Sequence, residues 1–350
     1  MSLPRRWPSM SRTCARMGIS SRKAPAQWSN WGSKQAFTLA KQKIAQSLRL
    51  SIVCFLVSCF LTSCTAVRPV VKIGLLAPFE GLHRRTGYAA LTAMRQAIAE
   101  AAPAEIAIMP LALDDGADPA QVERATRKLL QDPAIRALVG PYSPFLAQPI
   151  APLMAASGLA WWRPFAVTPS DGFSVAESKS DWAEPLLAAA AEQAVALGGR
   201  RLVLAGWTPG WPTLQAEQLG QALAMPVLIS DAVAIVEPAD AVFWLGSAEM
   251  GAVYLTALRA YAPPVPFLLG PQAADPIFAE HAQLSGPVYL LFWLDDGYEQ
   301  WQRQQRTAPP IAYLTYRATQ QAIAQMLGQP LPQRQSWRIA AVPVDKAAVP

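Results

Sequence analysis

Residues 106–119 read Ile-Ala-Ile-Met-Pro-Leu-Ala-Leu-Asp-Asp-Gly-Ala-Asp-Pro. The apolar run Ile106–Leu113 has the length of a buried strand and closes on Asp114-Asp115-Gly116, a turn signal. Asp118-Pro119 then opens a helix. An acid stands at the N-cap, Pro fills the first position, where a missing N–H costs nothing, and Glu123 is read into the first turn. Val122, Ala125, Leu129 and Leu130 give that helix one apolar face. A buried strand, a short turn and an amphipathic helix, repeated, build a parallel sheet covered on both faces.

The same unit recurs on either side. Upstream, Val71–Leu76 reads as a strand, and Gly87–Ala101 as a helix with Ala90, Met94, Ala97 and Ile98 on one face. Downstream come strand Ile135–Val139, Gly140-Pro141, a helix from about Leu146 to Ala156, and strand Leu159–Trp162. A polar, Pro- and Gly-containing stretch, Arg163–Ser180, reads as a crossover. A second series follows: helix Asp181–Leu197, strand Arg201–Ala205, helix Thr213–Leu223, strands Val227–Ile229 and Ala241–Leu245, helix Ala248–Tyr261, and strands Pro266–Leu269 and Val288–Phe292. Helix Ile311–Leu327 is the last long one, and Ser336–Val344 holds a final strand. The stretch after residue 64 suffices for two domains of ordinary size.

The chain has 350 residues, is 52% hydrophobic and carries a formal charge of +6. That charge is unevenly placed. Residues 1–64 hold ten Lys/Arg and no Asp or Glu, leaving 20 of the 30 basic residues against all 24 acidic ones, a net of −4. The basic excess belongs to the leader, so nucleic-acid binding is not expected. Lys41, Lys43 and Arg49 precede the short apolar run Leu50–Leu61, the pattern of a secretory signal; the run is too short to span a bilayer. Leu61-Thr62-Ser63-Cys64 follows. Cys14, Cys54, Cys59 and Cys64 are the only cysteines, so the region after Cys64 has no disulfide, thiol nucleophile or thiolate metal site. Leu-Thr-Ser-Cys resembles the bacterial lipobox, which implies lipidation at Cys64 and export to a membrane surface facing the periplasm or cell exterior.

Several segments resemble the type I periplasmic binding proteins, above all the branched-chain amino acid receptors of ABC importers. They are Lys72-Ile73-Gly74-Leu75-Leu76-Ala77-Pro78, Asp114–Pro119, Leu138-Val139-Gly140-Pro141-Tyr142-Ser143, Ala155–Leu159, Gly246–Met250 with Tyr254–Arg259, Phe267–Pro271 and Ala312–Ala324. The resemblance implies an α/β fold of two Rossmann-like lobes with parallel central sheets joined by a multi-strand hinge. It divides the chain into a leader (1–64), one lobe (65–180 plus 294–332) and a second (181–293 plus 333–350). It implies a small-molecule ligand between the lobes, an ABC-importer permease as partner, no cofactor, no metal and no catalysis.

Carried over position by position, the family's ligand loops fall on Tyr142, Ser143 and Thr168 in the first lobe and on Trp211 and Gln272 in the second; Trp207, just past a predicted strand end, joins them as a ligand-binding candidate. The anchors for a zwitterion are largely replaced. Ser-Ser is Ser143-Pro144, and Pro offers neither hydroxyl nor N–H. Ala-Thr is Ala166-Val167, with Thr168 one place late. The acid that receives the ammonium is Gln272, and Trp211 stands for the covering aromatic. The same fold with binding lost, acting through protein contacts as a regulator of envelope synthesis, is the second expectation.

No nucleophile elbow, phosphate loop or paired metal-spaced histidines occur. Of the two histidines, His83 lies in the first loop, which the resemblance turns toward the cleft; it reads as a solvated loop residue, with a ligand contact as the alternative, and His281 as the surface of an Ala-rich helix. Asp115 or Asp118 reads as a turn and cap device. Trp161, Trp162, Trp207 and Trp211 are the candidates for a cleft wall suited to an apolar, aromatic or cationic ligand, with Arg84, Arg85 and Arg163 as possible countercharges for an acidic one.

Overall fold

The computed structural model describes residues 68–168, 172–173, 183–209, 211, 215–261, 264–305, 309–330 and 337–344. The leader and Cys64 lie outside them, as do parts of the Arg163–Ser180 crossover.

The first sheet is built from β1 (Val70–Ala77), β2 (Ala107–Asp114), β3 (Ile135–Val139) and β4 (Ala160–Trp162). Its order is β2-β1-β3-β4, and every pairing is parallel. The connections are α1 (Arg84–Ala101), α2 (Pro119–Leu130), α3 (Pro144–Ala147) and α4 (Ala151–Ser157). Asp118 caps α2 as read, its Oδ1 accepting the Gln121 N–H at 2.8 Å. Glu123 falls outside the first turn. It pairs instead with Arg127 one turn on, at 2.6 Å, a spacing at which side chains of a helix meet. The helix expected over 146–156 is broken: α3 and α4 flank a 3-10 turn, Gln148–Ile150. Pro149 and Pro152 explain this, since neither supplies the N–H that a continuous helix needs. Beyond β4, β5 (Val167–Thr168) and β6 (Gly172–Phe173) form a small antiparallel pair.

The second sheet has six strands in the order β12-β11-β10-β9-β7-β8. These are β7 (Arg201–Ala205), β8 (Val227–Ile229), β9 (Asp240–Trp244), β10 (Phe267–Leu269), β11 (Val288–Leu294) and β12 (Arg338–Pro343). All run parallel except β12, which lies antiparallel on β11. The central strands read as unbroken apolar runs because both faces are covered: all five residues of β9 and all but Tyr289 of β11 are buried. The helices are α5 (Ala183–Ala196), α6 (Ala216–Ala222), α7 (Ala248–Tyr261), α8 (Pro276–His281), α9 (Tyr298–Gln304) and α10 (Pro310–Met326). His281 ends α8 and is exposed, as expected.

The last helix, α10, leaves the second sheet and packs on α1 and on β3 of the first. It is fixed to the end of β11 by a buried pair, Arg317 Nε to Asp295 Oδ2 at 2.8 Å. Tyr313 donates its hydroxyl to the other Asp295 oxygen, which also accepts the Gly297 N–H at 2.8 Å. With both oxygens satisfied, the buried carboxylate avoids the penalty of an orphaned charge. Among the described residues no helix is long and apolar enough to cross a membrane.

Candidate functional site

A cavity of about 640 Å³ lies where the C-terminal ends of strands from both sheets converge. From the first sheet come Pro78, His83 and Thr86 after β1, Asp115 and Ala117 after β2, and Tyr142, Ser143, Phe145 and Leu146 after β3. From the second come Gly206, Trp207 and Thr208 after β7, Asp231 after β8, Trp244 and Gly246–Met250 around the β9–α7 turn, and Pro271, Ala274 and Asp275 after β10. Open α/β sheets place ligands at this end of their strands.

The aromatic wall rests on glycines. Trp244 is buried, and its indole N–H donates to the Ser247 carbonyl at 2.8 Å. A Cβ added at Gly206, Gly246 or Gly251 would stand 2.7–2.8 Å from that ring. Gly206 also sits at φ +73°, a backbone conformation that a side chain disfavours. The three glycines therefore form the slot in which Trp244 lies. Trp207, half-buried, follows Gly206 directly, and Tyr254 packs on Trp244 with ring centroids 5.1 Å apart.

The two strand sets also touch across the cavity. His83 Nδ1 lies 3.1 Å from Asp275 Oδ2, and Thr86 donates to the same oxygen at 2.6 Å. His83 Nε2 lies 3.4 Å from Glu249 Oε2. Beside them Arg85 pairs with Glu280. The hydrogen bond to Asp275, then the nearby acids, outweigh burial and raise the imidazole pKa above its ordinary value. Burial pushes Asp275 up, but hydrogen bonds from His83, Thr86 and the Ile277 N–H prevail and hold it below the usual carboxylate range. The expectation that His83 is a solvated loop residue is thus corrected. Its partners are 166 and 192 residues away, beyond anything a local reading of Leu82-His83-Arg84 detects.

Asp115 is fully buried. Its Oδ1 accepts the Ala117 N–H at 3.0 Å, the turn role expected of it, while Oδ2 has no hydrogen-bond partner. Desolvation is the largest influence on it and pushes its pKa up to about 7.

Of the expected ligand-binding residues, Tyr142, Ser143 and Trp207 line the cavity. Two of these are already engaged. Tyr142 is buried with its hydroxyl 2.9 Å from Thr315 Oγ1, and Ser143 Oγ accepts the Leu146 N–H at 3.3 Å as the cap of α3. Trp211 is buried beside Trp207, ring centroids 6.3 Å apart, and its N–H donates to the Leu245 carbonyl at 3.1 Å. It is not among the lining residues. Thr168 ends β5, and Gln272 lies in the 3-10 turn Pro271–Ala273, whose flanks Pro271 and Ala274 reach the cavity. Their side chains lie outside what the structure describes.

Trp161 and Trp162 belong to the core of the first sheet, with Trp161 donating to the Gly140 carbonyl at 2.6 Å. Arg163 stacks 5.1 Å from the Trp161 ring. Arg84 reaches the Gly81 carbonyl, and neither it nor Arg85 lines the cavity. Trp244, Tyr254, Glu249 and Asp275 were not singled out in the sequence. Trp244 closes an apolar strand and reads as core; only the following Gly246 marks it as a strand end.

Two parallel sheets linked by crossing elements, with a cavity at the meeting point of their strand ends, define the architecture. The family model described as periplasmic binding protein matches residues 70–228. The chain has the fold of the type I periplasmic binding proteins. Similar solved structures include a leucine binding protein, LivK, of Thermotoga maritima, with TM-score 0.59, 16% identity, and coverage of 74% of this chain and 84% of that one. A substrate-binding periplasmic protein of Ralstonia solanacearum has TM-score 0.57 and 16% identity over 75% and 86%. An ABC transporter substrate-binding protein of Desulfitobacterium hafniense, in complex with Leu, has TM-score 0.54 and 15% identity over 75% and 85%. No curated protein matches the sequence.

Proposed function

We propose that this protein is an exported solute-binding lipoprotein that captures a small molecule between two lobes and delivers it to an ABC-importer permease. The cavity carries the reading. Its size suits a small molecule, it draws on both sheets, and its walls are largely aromatic and aliphatic with few polar groups. The Leu61-Thr62-Ser63-Cys64 sequence supports a tether at lipidated Cys64. We divide the chain into lobes at 65–180 plus 294–332 and 181–293 plus 333–350; the return of α10 to the first sheet supports this division. Binding, not catalysis, is the activity. A thermal-shift screen of the protein with amines, amino acids, amides and aromatic compounds tests it, since a ligand that binds only the folded state raises the melting temperature.

A second reading, loss of ligand binding in favour of protein contacts, draws on the engagement of Tyr142 and Ser143 within their own half. A screen without a single stabilising compound, together with capture of an envelope protein, decides for it.

A further inference from the structure

The following rests on the reading of the cavity as a solute site and concerns the charge of the solute. Among the described residues lining the cavity there is no Lys or Arg, while Asp115, Asp231, Glu249 and Asp275 all reach it. Asp275 and Glu249 flank His83. Asp231, exposed, accepts the Gly206 N–H at 2.6 Å. Asp115 is the fully buried one: one oxygen serves its own turn, and the other has no hydrogen-bond partner. Glu249 Oε2 also lacks a hydrogen bond but lies 3.4 Å from His83 Nε2. A buried carboxylate oxygen without a donor is costly, and a cation arriving through the cavity relieves that cost.

An anionic group would find a different environment. The one lining group able to carry a positive charge is His83, and it is already shared by two acids. The wall contributed by Trp207, Trp244, Met250 and Val253 offers aromatic and aliphatic surface, which accommodates an apolar body and attracts a positive charge to its ring faces. The hydroxyl of Tyr254, also without a partner, is a further acceptor.

We propose that the cavity binds an organic monoamine, its ammonium on Asp115 and its apolar body against Trp207 and Trp244, with no carboxylate required. An amino acid brings the same ammonium and side chain but adds a carboxylate that lacks a cationic partner here. Its decarboxylated amine is therefore the better ligand.

The test is calorimetry on the full-length chain at pH 8, comparing isopentylamine with leucine and tryptamine with tryptophan, beside isopentanol as the neutral analogue. At least one amine should bind more tightly than its parent amino acid by about tenfold, the equivalent of one lost charge-assisted hydrogen bond. D115N retains an oxygen for the Ala117 N–H and should lose about tenfold for that amine while leaving isopentanol unchanged. The comparison on the unsubstituted protein stands even if D115N does not fold. Parent amino acids binding as tightly as the amines, or an amine affinity indifferent to D115N, overturns the proposal. Binding of amino acids or isopentanol without any amine overturns the charge assignment alone and leaves the solute-receptor reading in place. Heat from none of the compounds overturns the proposal and counts against that reading as well.

Discussion

The two sides of the cavity are made differently. On the first-sheet side the polar groups serve the fold: Tyr142 is tied to Thr315, Ser143 caps α3, and Asp115 turns the chain into α2. On the second-sheet side the surface is aromatic, with Trp244 slotted between three glycines and Trp207 and Tyr254 beside it. On the first side, then, the Tyr142 hydroxyl is spent within the fold and Ser143 Oγ serves as a cap acceptor. The second side offers area and little direction. Specificity in such a site depends on the few polar atoms left unspent, of which Asp115 Oδ2 is the most buried.

Substitutions can break this contrast, and the largest effects should fall on residues that the fold itself depends on. Asp295→Ala leaves Arg317 buried without its carboxylate and should cost roughly 3–5 kcal/mol by denaturant unfolding. Trp244→Ala empties the glycine slot and should cost about 3–5 kcal/mol. Trp207→Ala, truncating a half-buried ring, should cost well under that while reducing ligand affinity. Equal losses of stability from the two Trp variants would erase the distinction between support and wall.

A smaller effect is expected at Gly251, where the added methyl of Gly251→Ala meets the Trp244 indole 2.7 Å away. Overpacking of this kind costs about 1–3 kcal/mol, and a change in Trp fluorescence should accompany it. His83 sharpens the comparison by pH. Its folded pKa lies above the ordinary 6.5, so its stabilising contribution is full below that value and fades as pH rises through the raised one. His83→Gln should therefore lose roughly 1.5–3 kcal/mol at pH 6 and less at pH 8.5, measured as the difference in unfolding free energy from wild type. A loss independent of pH would show that His83 acts through packing. Least affected is Ser143→Ala, which removes a cap from a four-residue helix and should cost about 1 kcal/mol without changing ligand affinity.

Much of this fold was legible because parallel strands buried on both faces write themselves as continuous apolar runs. Ile135–Val139 and Arg201–Ala205 were read to the residue, and Asp118-Pro119 announced its helix with a cap and a proline. Position in the chain also placed Tyr142, Ser143 and Trp207 at the cavity, since all three follow strand ends. Three features escaped. Trp244 looks the same in sequence whether its ring faces core or cleft. His83 depends on Asp275, supplied by a distant strand end. Trp211 follows a strand as Trp207 does, yet a hydrogen bond to the Leu245 carbonyl turns it inward. The succession of strands and helices is locally legible in sequence; side-chain direction after a strand depends on the partner that tertiary structure brings.

The claim that the cavity is a solute site, with the second-sheet aromatics as its wall, is tested most directly by melting curves of wild type and Trp207→Ala against the same set of amines, amino acids, amides and aromatic compounds. At least one compound should raise the wild-type melting temperature in a concentration-dependent way, and Trp207→Ala, close to wild type in stability without ligand, should lose most of that shift. A wild-type protein that no compound stabilises, or a shift that survives intact in Trp207→Ala, would contradict it.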